Sequence, residues 1–564
     1  MVMVRLYQII VLAASLLLLI LGLSYGSASV ALRAYDSWVN YESPFVGILS
    51  SINPVSVSGE PVAKHVVFIL LDGLSTSVLE DLVRSDASIG KLVSLGALYV
   101  NGLANMPSYS VPARASILSG TPPEVNGVSS NDYKGLLRID SLPVIAKSYG
   151  YKILCSGDSS FEMLFSQVID ECASVSEGAG HGALSLAYGL KLLERYERAG
   201  YKVFMWIGVA DIDLIGHKAG GLSIEYNESA RNILYLLLDF ISGLEEKGLL
   251  RDTLLVILND HGFKRMGHHG GPEPEVRRVF LTLIGPGVRP GVYNVSFTHN
   301  DVAPTISMLM GWRIPSSSIG RVIGEGLSIP SSRLEAYTRA SMEQEKRVVR
   351  AMSELVGLKL DEDYSDLVAT LASSGRNFRL TQVTVGFLVL LVALLLTLRV
   401  AMSKNLLGEL LTIALLVLVY ELVFRLYYKL TGGPASLSDI YSFEGFTNKI
   451  MLTTLVSSIA VGLILGLLEL TPYKRGFSRS LIVALSTILL VILLSIGYAT
   501  PFYVNYGATV RFPFPEWGGA LLFFLSLMKA SFTGFIGLPV LIVSTLALII
   551  VNRILESQFK LRQL

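Results

Sequence analysis

The strongest constraint on how this chain can fold is a series of long apolar stretches in its last third. Four of them lie near residues 382–401, 405–427, 450–470 and 480–499. Because a helix of about 20 apolar residues crosses the hydrocarbon core of a bilayer, these stretches predict transmembrane helices. A further apolar region, Trp517 to Val551, contains Lys529 and can cross once or twice. We therefore expect an all-α membrane domain of five or six helices over residues 381–564.

The first 29 residues form a separate targeting segment. An apolar run from Ile9 to Leu23 follows Arg5 and is itself followed by small residues up to Ser29. This pattern is typical of a cleaved signal peptide or of an uncleaved signal anchor, and both place the following domain outside the cytoplasm. The basic residues of the loops near 399–404 and 474–479 then fall on the cytoplasmic side, as does the basic C-terminal tail, which favours five C-terminal crossings.

The balance of charges and the position of the cysteines characterise the segment between the two apolar ends of the chain. Lys and Arg total 46 against 45 Asp and Glu, so no basic field predicts a nucleic-acid partner. The two cysteines, Cys155 and Cys172, both lie in this segment. They are expected either to form a disulfide in an oxidising compartment or to remain two separate buried thiols.

Residues 64–330 alternate between apolar runs and amphipathic stretches. Apolar residues recur every three or four positions in 184–199 and 224–247, which indicates helices. This alternation predicts an α/β domain with a doubly wound, mostly parallel sheet. A connector over 30–63 precedes the domain, and a charged helical stalk over 331–380 follows it. The apolar runs expected to form buried parallel strands are 65–73, 151–158, 201–213, 253–262 and 279–287.

Metal-ligating residue types gather where these strands end. The segment NDHGFKRMGHHGG, residues 259–271, contains Asp260 and three of the seven histidines of the chain, His261, His268 and His269. Carboxylates and imidazoles are common metal ligands, and ligands of open α/β sheets lie beyond the carboxyl ends of strands. Asp72 ends an earlier strand, although helix capping would also explain it.

Two further segments supply a ligand pair and a hydroxyl. Asp213 and His217 are four residues apart, which places them on one face of a helix and suits a metal ion. Ser110 precedes Pro112 in NMPSYSVPARASILSGTPP, at what is expected to be the first turn of a helix whose N-terminal amides favour a phosphate. Taken separately, such a pair and such a loop are common in proteins without these roles.

Taken together, these motifs resemble the alkaline phosphatase superfamily. The resemblance is strongest to its branch of type I phosphodiesterases, nucleotide pyrophosphatases and glycosylphosphatidylinositol ethanolamine-phosphate transferases. It covers residues 64–312 through motifs in the family's order: LLDG, P-x-x-S-x-P, D-x-x-x-H, DHG, a later H-G and HNDVAPT. It implies an alkaline phosphatase-like fold and two divalent metal ions, with zinc expected. The ligands it implies are Asp213, His217 and His269 for one ion, and Asp72, Asp260, His261 and the Ser110 oxygen for the other.

The predicted activity follows from this site and from the membrane segments. We expect a membrane-bound, extracytoplasmic phosphodiesterase or phosphotransferase with Ser110 as nucleophile and a phosphorylated serine intermediate. The number of helices exceeds what anchoring needs, so the phosphoester is expected to be a lipid or a lipid-linked glycan. His268 and Arg114 are expected to contact the substrate.

Two alternatives remain open at this point. The phosphodiesterase pattern often has Asn after the Pro of the nucleophile turn, whereas this chain has Ala113 and Arg114. SVPAR also fits the serine form of the sulfatase signature S-x-P-x-R, which makes a sulfatase the first alternative. However, Gly73 follows Asp72 where sulfatases typically have paired aspartates, and the histidines favour softer metals than calcium. A non-catalytic membrane scaffold is the second alternative.

Overall fold

The computed structural model describes residues 2–176, 178, 180–265, 267–358, 364–373, 375–401, 406–431, 436, 438, 443–470 and 477–563. The chain divides into two compact units. The first, which we call the α/β unit, comprises residues 38–371 and 511–514. The second, which we call the helical unit, comprises residues 1–37, 372–510 and 515–564.

The α/β unit contains one eight-stranded sheet with the strand order β4-β3-β5-β1-β6-β7-β2-β8. Strands β4, β3, β5, β1 and β6 are parallel to one another. The predicted mostly parallel, doubly wound sheet is therefore confirmed. The strands are β1 His65–Leu71, β2 Gly96–Leu103, β3 Lys152–Ser156, β4 Glu171–Ala173, β5 Val203–Val209, β6 Thr253–Leu258, β7 Arg278–Ile284 and β8 Gly291–Thr298.

One of the five predicted strands has a different direction from the one expected. β7 pairs antiparallel with β6 on one side and with β2 on the other, so the expectation of a parallel strand over 279–287 is wrong. A run of buried apolar residues indicates that both faces of a strand are covered, but it carries no information about strand direction. The sequence prediction also omitted β2, β4 and β8.

Helices cover both faces of the sheet. Alternate residues of β1 point to opposite faces, so Val66, Phe68 and Leu70 join one hydrophobic cluster while Val67 and Ile69 join the other. The helices of this unit are α2 Val46–Leu49, α3 Thr76–Ser85, α4 Ala87–Leu95, α5 Ser110–Ser119, α6 Pro123–Asn126, α7 Leu142–Ser148, α8 Ser159–Phe165, α9 His181–Arg198, α10 Asp211–Ala219, α11 Ile224–Glu246, α12 Pro274–Arg277, α13 Val302–Met310, α14 Ser331–Leu355 and α15 Tyr364–Ser373.

The charged segment after the sheet packs into the same unit. α14 lies within the range expected to form a stalk, yet Tyr337, Val348 and Met352 on one of its faces are fully buried in the core. Its charged residues occupy the remaining faces, as expected for an amphipathic helix. Within the sheet, Cys155 of β3 and Cys172 of β4 face each other across adjacent strands and form a disulfide.

The helical unit consists of long apolar helices. Five described segments are long and apolar enough to cross a membrane, which supports an integral membrane protein. They are Ile9–Val39, Leu407–Leu430, Phe443–Glu469, Arg479–Tyr506 and Trp517–Ile554. The helices are α1 Val2–Val39, whose last two residues belong to the α/β unit, α16 Arg376–Ala401, α17 Leu406–Leu430, α18 Phe443–Glu469, α19 Phe477–Tyr506, α20 Trp517–Phe532 and α21 Leu538–Gln563.

The structure bears on two parts of the predicted membrane topology, the region after Trp517 and the span near 382–401. α20 and α21 are joined by a π-helical turn, Thr533–Gly537, so the region after Trp517 forms one helical run. The predicted span near 382–401 coincides with α16, but its side chains from residue 391 onward lie outside the described residues. The described residues also leave out Lys404, Lys474 and Arg475, on which the prediction of membrane orientation depends.

Candidate functional site

The predicted ligands converge because three neighbouring parallel strands end at one edge of the sheet. β5, β1 and β6 pair in register up to Val209, Leu71 and Leu258. The residues that follow, at the start of α10 and after β1 and β6, therefore lie close together, as expected for the carboxyl ends of parallel strands. They include Asp213 on α10, Asp72 after β1, and Asp260 with His261 after β6.

The first group of ligand atoms consists of Asp72, Asp260 and His261. One side-chain atom of each lies within 4.8 Å of the others. His261 Nε2 is 3.5 Å from Asp72 Oδ1 and 3.6 Å from Asp260 Oδ2. Asp260 and His261 are fully buried, and Asp72 nearly so. These carboxylates and the imidazole match the donor types that borderline divalent cations prefer.

Ser110 faces this first group. It is the first residue of α5, and its hydroxyl lies 3.1 Å from His261 Nε2 and 3.5 Å from Asp72 Oδ1, to which it donates a hydrogen bond. The amides that follow it in the first turn do not form the phosphate site predicted from the sequence. The Val111 amide donates to Asn131 Oδ1, Pro112 has no N–H, and the Ala113 amide donates to Tyr109 O. A group bound here would meet a nucleophile and ligand atoms at the positive end of the α5 dipole.

The second group consists of Asp213, His261 and His269, again with one atom of each within 4.8 Å of the others. His269 Nε2 is 3.6 Å from Asp213 Oδ1, and the rings of His261 and His269 stack with centroids 3.6 Å apart. His217 lies alongside, with its Nε2 3.5 Å from Asp213 Oδ2. His261 thus belongs to both groups, which the division of ligands predicted from the sequence did not anticipate.

The electrostatics of the two groups also fit a bound cation. Burial, followed by the charge of Asp72, raises the pKa of Asp260 to about 6. Burial lowers the pKa of His269 well below its usual value and that of His217 to about 4, so both imidazoles are neutral at physiological pH. Buried carboxylates that repel each other, next to neutral imidazole nitrogens, are the arrangement that a metal ion stabilises.

Arg114 places a buried positive charge next to the carboxylates of the site. It lies one helical turn after Ser110 on α5, and its side chain is only 6% exposed. Its guanidinium donates from Nη2 to Asp72 Oδ2 at 2.8 Å, from Nε to Asp158 Oδ2 at 2.7 Å and from Nη1 to Asp260 Oδ2 at 3.2 Å. Burial opposes the ionisation of Asp72, but Arg114 and His261 outweigh it and lower the Asp72 pKa.

Each of the three guanidinium nitrogens of Arg114 thus donates to a carboxylate, and the predicted substrate contact of Arg114 stays a prediction. The sequence prediction had not included Asp158, which follows β3. Its Oδ2 also accepts a hydrogen bond from Trp206 Nε1 at 2.8 Å, and its Oδ1 caps α8. The signal that could have identified it is its position: like Asp72, it is an acid at the carboxyl end of a buried strand.

The backbone around the site is fixed by two other residues that the sequence prediction did not select. The amide of Gly73 donates to Asp260 Oδ1 at 3.0 Å. Gly73 has a φ of 71°, and a Cβ there would lie 2.6 Å from the Phe263 ring, so glycine is required. The Asn259 side chain donates to Leu74 O and to His261 O and accepts from the Phe280 amide, which holds the turn that carries Asp260.

His268 is brought to the edge of the site but into neither ligand group. Its ring centroid is 5.8 Å from that of His217. Among the described residues it is the one non-glycine residue in the left-handed region, with a φ of 71°. Such a conformation is uncommon outside glycine and persists where surrounding structure imposes it. The predicted substrate contact of His268 stays a prediction.

Part of the chain matches a known protein family. Residues 66–135 match the family described as type I phosphodiesterase / nucleotide pyrophosphatase. The matched segment contains Asp72, Ser110 and Arg114. Together with the relatives described next, this match confirms the predicted resemblance to that group.

Curated relatives of the chain include glycosylphosphatidylinositol (GPI) ethanolamine phosphate transferase 2 from two fungi. The Aspergillus fumigatus protein is 24% identical over 47% of this chain and 37% of its own length. The Kluyveromyces lactis protein is 23% identical over 61% of this chain and 48% of its own length. The chain thus spans less than half the length of these relatives. Among solved structures, murine ectonucleotide pyrophosphatase / phosphodiesterase 5 aligns with 47% of this chain and 100% of its own, at 10% identity and a TM-score of 0.40.

Proposed function

We propose that the chain is a membrane-bound, metal-dependent phosphodiesterase or phosphotransferase that acts on a phosphoester through Ser110. The observation that carries the proposal is the position of the Ser110 hydroxyl, 3.1 Å from His261 Nε2 and 3.5 Å from Asp72 Oδ1 at the N-terminus of α5. A serine that faces metal-ligand atoms at the positive end of a helix dipole is suited to attack phosphorus.

The proposed ligands follow the sequence prediction. Asp213, His217 and His269 would hold one divalent ion, and Asp72, Asp260, His261 and the Ser110 oxygen would hold the other, with zinc as the expected metal. When bound, two such ions lower the pKa of the serine hydroxyl and neutralise charge on the phosphoryl oxygens. The neutral imidazoles and the Arg114-bound carboxylates support this assignment.

The chain's own residues would carry the reaction in two displacements. In the first, the Ser110 hydroxyl gives up its proton and its oxygen forms a bond to phosphorus. The bond from phosphorus to the leaving alcohol breaks, and that alcohol takes up a proton. In the second, the acceptor hydroxyl gives up its proton as its oxygen attacks phosphorus. The serine–phosphorus bond breaks, and the Ser110 oxygen takes up a proton. Water as acceptor gives hydrolysis, and another alcohol gives transfer. The positive end of the α5 dipole would favour the negative charge of the phosphoryl group throughout.

We further propose that the substrate is a lipid or a lipid-linked glycan and that the α/β unit lies on the extracytoplasmic side. Five segments that can span a membrane exceed what anchoring needs, because one span is effectively irreversible. The relatives are GPI ethanolamine phosphate transferases, which supports a lipid-linked phosphoester. The disulfide between Cys155 and Cys172 favours an oxidising compartment.

The proposal is tested with the purified full-length protein, stripped with a chelator and reloaded with zinc. We expect turnover of aryl phosphate monoesters or diesters, its loss in the stripped protein and its return with metal. Ser110→Ala should abolish turnover, whereas Ser94→Ala, at an exposed serine of α4, should not change it.

The same assay decides between the alternatives. The S-x-P-x-R segment from Ser110 to Arg114 also fits the sulfatase signature, so aryl sulfate is included as a substrate. Turnover of aryl sulfate alone would favour the sulfatase. Activity of Ser110→Ala equal to the wild type would contradict the mechanism, and the absence of any turnover by the metal-loaded protein would favour the scaffold.

A further inference from the structure

The helical unit contains a group of charged side chains, Glu421, Arg425 and Lys529, inside two of the segments that can span a membrane. Lys529 of α20 is 4% exposed, and its Nζ lies 2.5 Å from Glu421 Oε1 of α17. The same ammonium lies 4.4 Å from the centroid of the Phe424 ring. Glu421 therefore neutralises Lys529, and an aromatic face covers the remaining side of the ammonium.

Arg425 adds a second positive charge one turn further along α17. Its Nε is 3.8 Å from Glu421 Oε2, so it shares a carboxylate that already pairs with Lys529. Its Nη2 donates to the neutral hydroxyl of Tyr498 at 2.9 Å. Among the described residues, the group thus holds two cations and one anion. Its surplus positive charge lies at Arg425, whose side chain is 65% exposed.

A surplus charge within a membrane-spanning segment is costly, and residues that carry one are commonly functional. Arg425 lies five residues before Leu430, the last residue of α17, which corresponds to about 7.5 Å along the helix. A guanidinium at this depth can reach the level of lipid phosphates by extending toward the interface. It can also bind two phosphate oxygens at once, which an ammonium cannot do with the same geometry.

We propose that Arg425, whose guanidinium donates to the Tyr498 hydroxyl, binds the phosphate of an anionic membrane phospholipid. One phosphodiester without a cationic head group carries a single negative charge and compensates the single surplus positive charge of the group. The head group of a zwitterionic lipid carries a positive charge of its own, so such a lipid compensates the surplus charge at Arg425 less well. The inference concerns the helical unit alone and does not depend on the reaction proposed for Ser110.

The test measures retention of phosphatidylglycerol and of phosphatidylcholine by the purified full-length protein, using native mass spectrometry. The wild type should retain phosphatidylglycerol preferentially. Arg425→Gln should weaken phosphatidylglycerol binding at least tenfold and leave phosphatidylcholine unchanged. Arg479→Gln, which removes an exposed arginine at the start of another span, is the matched control and should bind as the wild type does.

A second variant separates charge from folding. Glu421→Gln combined with Lys529→Gln removes the buried ion pair but keeps the surplus charge at Arg425, so it should retain phosphatidylglycerol. The proposal is overturned if Arg425→Gln binds phosphatidylglycerol as Arg479→Gln does, if it loses both lipids equally, or if the double variant loses phosphatidylglycerol. Thermal unfolding of each variant shows whether its preparation is folded. If Arg425→Gln is unfolded, the retention of phosphatidylglycerol by the double variant decides the test.

Discussion

The contacts of Arg114 lead to a prediction about the stability of the metal-free protein. Its guanidinium balances three nearly buried carboxylates, those of Asp72, Asp158 and Asp260. Removing one member of a buried ion-pair network typically costs about 3–5 kcal/mol, because the remaining charges stay buried without compensation. Arg114→Gln should therefore lower the free energy of unfolding by about that amount.

The corresponding shift in unfolding temperature follows from the size of the α/β unit. Its roughly 340 residues imply an unfolding entropy of about 0.7 kcal/mol/K, at ~2.1 cal/mol/K per residue. A loss of about 3–5 kcal/mol then lowers the unfolding temperature by roughly 4–7 °C. The assay is thermal unfolding of the chelator-treated protein, followed by tryptophan fluorescence, because Trp206 donates directly to Asp158.

Two comparisons make this prediction refutable. Arg84→Gln removes an arginine that is 73% exposed and pairs with Asp81, and it should leave the unfolding temperature unchanged within about 1 °C. Saturating zinc should narrow the difference between Arg114→Gln and the wild type, because a bound cation compensates Asp72 and Asp260 in place of the guanidinium. A metal-free Arg114→Gln protein that unfolds within 1 °C of the wild type would refute the assigned role of Arg114.

Two further predictions concern features away from the ligand groups. The disulfide joins residues 17 positions apart, so replacing Cys155 and Cys172 by serine should cost about 3 kcal/mol of stability. Reductant should lower the unfolding temperature of the wild type but not of this variant, and an insensitive wild type would contradict the disulfide. Burial lowers the pKa of His65 despite its contact with Glu197, so the folded protein binds a proton there less readily than the unfolded chain. The stability that neutral, buried His65 contributes is complete above about pH 6.5 and is lost as the pH falls below that value. When the pH is lowered from 7.5 to 5, the free energy of unfolding of His65→Gln should fall less than that of the wild type. An equal fall in both proteins would contradict the role assigned to His65.

The ligand positions could be predicted because they depend on local pattern. Asp72, Asp260 and His261 directly follow long apolar runs, and the ends of adjacent parallel strands must meet at one edge of the sheet. Ser110 could be placed at a helix start because Pro112 favours the first turn. These inferences need only the strand order near the centre of the sheet.

The role of Arg114 could not be predicted in the same way. Its position in the sequence allows its side chain to reach either a substrate or the neighbouring strand ends. The choice depends on Asp158, which reaches the same place from β3 through the tertiary fold. The direction of β7 was missed for a similar reason, since burial on both faces is compatible with either direction.

The packing of α14 shows how composition can mislead. Its dense charges suggested a solvated stalk, but Tyr337, Val348 and Met352 lie on one face and are buried. An apolar stripe covering part of a helix is sufficient for docking, whatever the charge of the remaining surface. Glu421 and Lys529 are visible in the sequence as charges within apolar runs, but their contact depends on the tertiary fold of the helical unit.

The most direct test of the central claim is to look for phosphate on Ser110. The metal-loaded protein is mixed with an aryl phosphodiester, quenched in acid within the first turnover and digested for peptide mass spectrometry. The account predicts that the peptide containing Ser110 gains the mass of the phosphoryl ester, that the modification is absent in Ser110→Ala, and that it disappears when substrate is exhausted. Turnover with the peptide unmodified at all quench times, or modification of another residue, would contradict the account.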